Sequence, residues 1–185
     1  LFRSRHATSS RLEAVLDVQL GDEATHSFLR GENIRIVKGH GAAFGGELRA
    51  RTSIALVAAG TANGAPTLLA VADVVDEHAE VVRATNQDTK VNRNFGRPAR
   101  DLNGPSGKSA RTAMKSDDRA RTERLRVVQR QRALLQGASI TITGTLHAGV
   151  RIRFGDASLV VDTPRTHVRF RWDAANDRIV EENLP

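Results

Sequence analysis

The sequence predicts a mainly β chain, a right-handed parallel β-helix (β-solenoid) interrupted by an antiparallel α-helical coiled-coil hairpin. Three observations carry this. Leucine-led segments recur at near-regular spacing on both sides of the chain's middle. Glycines stand between runs that alternate apolar and polar residues. Between the two β regions lies a stretch whose apolar residues fall seven apart, with no Gly or Pro from Val74 until Gly96.

The repeats come first. "LEAVLDVQL" begins at Leu12, "LRGENIRI" at Leu29, "LRARTSIAL" at Leu48 and "LHAGVRI" at Leu146, each opening with Leu, a polar residue, then Ala or Gly. Apolar pairs follow at Val18 and Leu20, Ile34 and Ile36, Ile54 and Leu56, and Val150 and Ile152. The leucines at 12, 29 and 48 are 17 and 19 residues apart, the length of one coil in which short strands are joined by tight corners. Gly31, Gly45, Gly46, Gly60, Gly144 and Gly149 are the expected corner residues. Gly45 and Gly46 are the strongest structural turn, because an adjacent pair can take positive φ or admit a close approach of backbone. Periodicity alone leaves a sandwich or barrel open as the alternative.

From Val74 the pattern changes. "VVDEHAEVVRATNQDTKVNRNF" places Val74, Val75, Val81 and Val82 at helical spacing; "GRPARDLNGPSGKSA" is rich in turn formers. "DDRARTERLRVVQRQRALLQG" is the second helix, with Asp117 and Asp118 in its first turn, Arg130 and Arg132 near its end and Gly137 as its stop. Ala113, Ala120, Val127 and Leu134 recur every seven residues, a thin seam that predicts a hairpin ordered at its base and frayed toward Asn103 to Ser109. Strand alternation then resumes through Ile140 and Ile142, Val150, Ile152 and Phe154, and Val168, Phe170 and Trp172. The expected organisation is solenoid coils over 1–72, a helical insertion over 73–137, and solenoid continuation with C-terminal strands over 138–185.

Composition bounds the function. At 185 residues the chain can bury an ordinary core, and with no cysteine it carries neither disulfides, cysteine zinc sites nor a thiol nucleophile. This fits a reducing compartment, and the cytoplasm is the expected location. No run of 18 apolar residues supports a membrane span, and the basic start has no apolar core to make a signal peptide. The formal net charge is +7, and Asp76 to Gln136 alone holds 14 Lys and Arg against 8 Asp and Glu. Such a segment suits an acidic protein patch or, alternatively, nucleic acid; aromatic residues for base stacking are nearly absent there, with Phe95 alone nearby. Arg119, Arg121, Arg124, Arg126 and Arg130 are the candidate partner contacts.

Other chemistry is weakly signalled. "GPSGKS", Gly104 to Ser109, resembles a phosphate-binding loop, but Leu102 stands where the full motif needs glycine and no buried strand precedes it. The six histidines, His40 among them in "KGHGA", lack metal-ligand spacing. Glu13, Glu32 and Glu47 fall at comparable places in successive repeats, the row a polysaccharide-cleaving solenoid would use. No catalytic residue, metal or cofactor is expected.

Two segments carry a family resemblance: "HSFLRGENIRIVKGHGAAFGGELRARTSIALVAAG", His26 to Gly60, and "GTLHAGVRIRFGDASLVVD", Gly144 to Asp162. With a helical hairpin between them, they resemble the flagellar assembly protein A (FapA) family of polymer-forming β-solenoid proteins, over about Arg11 to Val180. The resemblance implies a non-enzymatic scaffold in bacterial flagellum assembly or placement, acting through protein contacts, with homo-oligomers possible through open solenoid ends and the hairpin projecting as a docking arm. The arginine-heavy, leucine-poor hairpin departs from the family's Glu- and Lys-rich pattern, and the region preceding the family's solenoid is not in this sequence.

Overall fold

The computed structural model describes residues 1–72, 122, 126 and 128–185. The chain divides into two units, Leu1–Asp73 with Gln131–Pro185, and Val74–Arg130. The first helix expected from Val74, the tip from Asn103 to Ser109 and most of the coiled-coil seam lie outside the described residues.

The first unit contains β1 (Phe2–Thr8), β2 (Arg11–Glu13), β3 (Val18–Ile36), β4 (Ala42–Leu56), β5 (Ala58–Ala59), β6 (Thr67–Val71), β7 (Ser139–Leu146), β8 (Arg151–Phe154), β9 (Ala157–Val160), β10 (Arg165–Asp173) and β11 (Arg178–Asn183). Among the described residues a helix, α1, is continuous over 128–137. Strands as long as β3 and β4 bend around the body, so one strand pairs with several others.

Columns of apolar side chains build the core. Leu12 lies in register with Leu29, Leu29 with Leu48, Leu48 with Leu69 and Leu69 with Ile152, all in parallel pairs, so four turns separate the first rung from the last. Ile34, Ile54 and Ile140 form a second column, beside Ile36, Leu56 and Ile142. Ala7, Ala24, Ala43 and Ala59 form a third, closed by Leu146. All but Leu12 are buried, and each large member contributes about 1.5–3 kcal/mol through the apolar area it removes from water. This is the stacking of a β-solenoid: like side chains repeat at the parallel-strand spacing, and alternate residues face solvent.

The structure corrects the fourth repeat. Leu146 stacks on Ala59 in the alanine column, whereas the leucine column continues through Leu69 and Ile152. A leucine-led motif marks the strand-to-corner transition on either face, so it does not by itself say which face is meant.

Polar side chains satisfy the backbone where the chain bends. Ser27, buried, donates to the Thr25 carbonyl and accepts the Ser10 amide; Thr67 Oγ1 accepts the Gly45 amide at 3.0 Å. At another corner Asn33 donates to Asp17 at 2.8 Å and accepts from the Ser53 hydroxyl at 2.6 Å, a ladder across three coils. These bonds remove the cost of burying unpaired groups at each bend.

Within 138–185, β7 and β8 pair in parallel with β4 and β6, and the strands after β8 turn back. β9 folds back antiparallel on β8, β10 lies antiparallel on β7, and β11 antiparallel on β10. Val168 and Phe170 thereby cover Ile142 and Ile140. At the other end, among the described residues, β1 and β2 pair only with β3.

Candidate functional site

The insertion leaves the body at a corner. Gly31 pairs with Ala50 and Asn33 with Ser53, so Glu32 alone makes this corner in one coil, opposite Arg51 and Thr52 in the next. In the coil after that, Val71 pairs with Ala50 and Ser139 with Ser53, so the corner filled by two residues below is filled by residues 72–138. The ladders on both sides keep their register. Ala72 donates its amide to the Arg51 carbonyl at 3.2 Å before the chain departs, and Ala138 donates to Leu135 at 3.2 Å on its return. Within the first unit, Leu135 of α1 is buried in the core cluster and packs beside Gly155 together with Gln131.

Charge is segregated in the same way. Residues 74–130 hold 13 Lys and Arg against 8 Asp and Glu, while the remainder holds 15 against 13. Of the candidate contacts, Arg126 and Arg130 are helical and exposed, and each already takes part in an interaction; Arg119, Arg121 and Arg124 lie outside the described residues.

Gly45 and Gly46 lie within β4 with φ of +72° and +83°, at the bend where it passes from pairing Thr25 to pairing Ser27. His26, the matching residue one coil below, also has positive φ, +48°. The glycine pair is framework, and it brings no chemical group to the surface.

The row of glutamates does not form. Glu13 is in register with Arg30, Glu47 with Phe28, and Glu32 occupies the corner. Each carboxylate instead meets a cation or hydroxyl: Glu13 meets Arg11 at 2.6 Å, Glu47 meets Arg49 at 2.8 Å, and Glu32 accepts from Thr52 at 2.8 Å. The leucines Leu12, Leu29 and Leu48 are in register, and the glutamates stand one residue after, three after and one before them, so they fall on different rungs and cannot stack. On this outer face Arg11 and Arg49 lie over the Phe28 ring at 4.7 and 5.8 Å from its centroid, a cation–π stack spanning three coils.

A corner cluster escaped the sequence analysis. Asp22 accepts the His40 amide at 2.9 Å and faces His40 Nδ1 at 3.2 Å and His6 Nδ1 at 4.0 Å. The amide bond from His40, then its ring and the charges of His40 and His6, hold the Asp22 carboxyl below the usual aspartate range, although partial burial pulls the other way. His40 is thus a turn residue, and its partner lies 18 residues away, one coil length, which is the signal that could have found it.

Among the described residues no group of three or more His, Asp or Glu is placed to hold a metal ion, and no helix is long and apolar enough to cross a membrane. No family model, curated protein or solved structure matches the chain.

Proposed function

We propose that the protein is a non-enzymatic scaffold in which the solenoid is a stiff platform and the basic insertion docks an acidic partner protein. In this reading residues 73–137 form the antiparallel coiled-coil hairpin that their heptad spacing predicts, the coils wind right-handed, and the protein works in flagellum assembly or placement, as the resemblance implies. The observation that supports it is the site of insertion. A long, strongly basic excursion replaces a two-residue corner while the ladders on either side keep their register, so a recognition element is added without altering the platform. Arg126 and Arg130, both helical and exposed, supply charge where a docking face would need it. Reversing Arg119, Arg121, Arg124, Arg126 and Arg130 to Glu and comparing affinity-purified partners with wild type tests this. Loss of defined partners is the expected result, and an unchanged partner set refutes docking through these residues.

The excess charge of the insertion also favours a second reading, a nucleic-acid-binding module. Fluorescence anisotropy with random-sequence DNA at low and moderate salt separates the two. Salt-sensitive binding favours nucleic acid, and no binding at low salt eliminates it.

A further inference from the structure

We propose that the outer face of the sheet carrying the leucine column is a docking surface for an acidic segment of a partner protein, one with apolar side chains among its carboxylates. The surface belongs wholly to the solenoid and does not rest on docking by the insertion.

Two columns of side chains flank the buried leucines and point the other way, because successive residues of a strand face opposite sides. The first runs Arg11, Phe28, Glu47, Leu68, Arg151 and Val160. In the second, Arg30 and Arg49 are direct register partners, with Glu13 before them and Arg153 beyond Ala70. Together the columns hold five arginines against two glutamates, and no lysine. Like charges in register repel, so the stack carries Arg30 beside Arg49 at a cost. Each glutamate is already met by the arginine two residues away on its own strand, Glu13 by Arg11 and Glu47 by Arg49, which leaves the positive excess on Arg30, Arg151 and Arg153. The register neighbours of Arg151 and Arg153 are Leu68, Ala70, Val160 and Ser158, none of them acidic. Arg30, Arg49 and Arg153 each take part in a further interaction, and a guanidinium, with five donors, can hold more than one partner. A solvated column needs no such charge: on the adjoining face Asn33, Ser53 and Ser139 fall in register, and Ser53 bonds to Asn33.

The apolar members decide the class of partner. Phe28, Leu68 and Val160 alternate with charged residues along the first column, one at every second level, about 9–10 Å apart at the strand spacing. Val160 is 46% exposed. Arginine mixed with aromatic and aliphatic side chains, without lysine, is the composition of a protein interface. Nucleic acid fits less well. Arg11 from the coil on one side and Arg49 from the coil on the other lie over the Phe28 ring, so this face offers no open ring on which a base could stack. Guanidinium forks match carboxylates in bidentate geometry, and the net positive charge favours an acidic partner over a basic one. From β2 to β9 the face crosses six strands, roughly 24 Å, the length of an extended segment of about seven residues.

The probe is a fluorescein-labelled peptide of about eight residues repeating Glu-Glu-Val-Val, so that each side of the extended chain alternates acid with apolar. Fluorescence anisotropy compares wild type, Arg30→Gln/Arg151→Gln, and the insertion variant Arg119→Glu/Arg121→Glu/Arg124→Glu/Arg126→Glu/Arg130→Glu. Wild type and the insertion variant are expected to show saturable, salt-sensitive binding, weakened about two- to thirty-fold by Arg30→Gln/Arg151→Gln, as for the loss of two surface ion pairs. A Glu-Glu-Ser-Ser counterpart is expected to bind wild type more weakly. No binding by wild type, equal binding by wild type and Arg30→Gln/Arg151→Gln, or equal affinity for the serine peptide overturns the proposal. Loss of binding in the insertion variant alone assigns the peptide to the insertion, which overturns the face and leaves docking by the insertion standing. Random-sequence DNA is titrated in parallel; tighter binding of DNA that Arg30→Gln/Arg151→Gln abolishes makes the face a nucleic-acid surface and likewise overturns the proposal. Should the double variant fail to fold, Arg151→Gln decides alone, because Arg151 is exposed and its replacement opens no core space.

Discussion

Substituting alanine for Gly46 isolates the contact that lets two coils approach at the bend in β4. Gly46 has φ of +83°, and a Cβ there would fall 2.6 Å from the Ser27 amide nitrogen and closer still to the Ser27 carbonyl oxygen. Both atoms are backbone of the neighbouring coil, in register with Gly46, and cannot rotate away. Gly149 has the same φ, but a Cβ there meets nothing within 4 Å. Gly149→Ala therefore reports the conformational cost alone, about 1–2 kcal/mol. Gly46→Ala adds separation of the rung, straining the bond from the Gly46 amide to the Pro66 carbonyl, 3.0 Å, and the ladder on Ser27. At about 1 kcal/mol per bond, with more where a buried group is left unpaired, the total comes to about 3–5 kcal/mol. Against a stability of about 5–15 kcal/mol this is a large fraction. Urea unfolding followed by the single tryptophan, Trp172, and by far-ultraviolet circular dichroism measures both variants. With m near 2 kcal/mol/M, the Gly46→Ala midpoint should lie about 1–1.5 M below that of Gly149→Ala. Equal midpoints would refute the reasoning, because they would mean that the collision relaxes without cost.

Leu48→Ala, at a buried rung between Leu29 and Leu69, should cost about 2–5 kcal/mol in the same assay. Replacing residues 74–130 with a short Gly-Ser linker should leave the strand dichroism and a cooperative transition intact, since the corner below closes with two residues; loss of both would show that the insertion supports the platform. At the β10–β11 turn, Asp173 accepts from the Asn176 side chain at 2.7 Å and from the Ala175 amide at 3.0 Å, and these bonds hold its carboxyl below the usual aspartate range. A carboxyl depressed in the folded state contributes stability that is complete above the unfolded value, about 3.9, and is lost as pH falls through the folded one. Protection of the amides of Arg178 to Asn183, taken relative to the intrinsic exchange rate at each pH, should therefore fall on acidification in wild type, and Asp173→Ala should lower it at neutral pH and remove the acid effect.

The solenoid was legible because its signal is local. Leu12, Leu29 and Leu48 fall in register as their spacing implied, and strand alternation matches the buried columns of Ile34, Ile54 and Ile140. What stayed hidden depends on lateral neighbours. Leu69 and Ile152 extend the leucine column without the leucine-led motif, because the core asks only for an apolar side chain of suitable size at that rung. The antiparallel turn-back of β9, β10 and β11 has the same alternation as a further coil, and period two carries no information on strand direction. Asp22 and His40 meet only once the length of the intervening coil is known, whereas the glutamates stand at unequal offsets from leucines that are themselves in register.

Successive rungs of the leucine column, Leu12, Leu29, Leu48 and Leu69, are 17, 19 and 21 residues apart. The increments are absorbed in the turns, at 37–41 and at 60–66, while the inward-facing columns stay matched. A staircase whose steps all differ has one way to be climbed. Any slip by a whole step would set a wide landing against a narrow one and leave apolar side chains facing loops, so the irregular lengths give each level its own identity and guard a repetitive interior against misalignment.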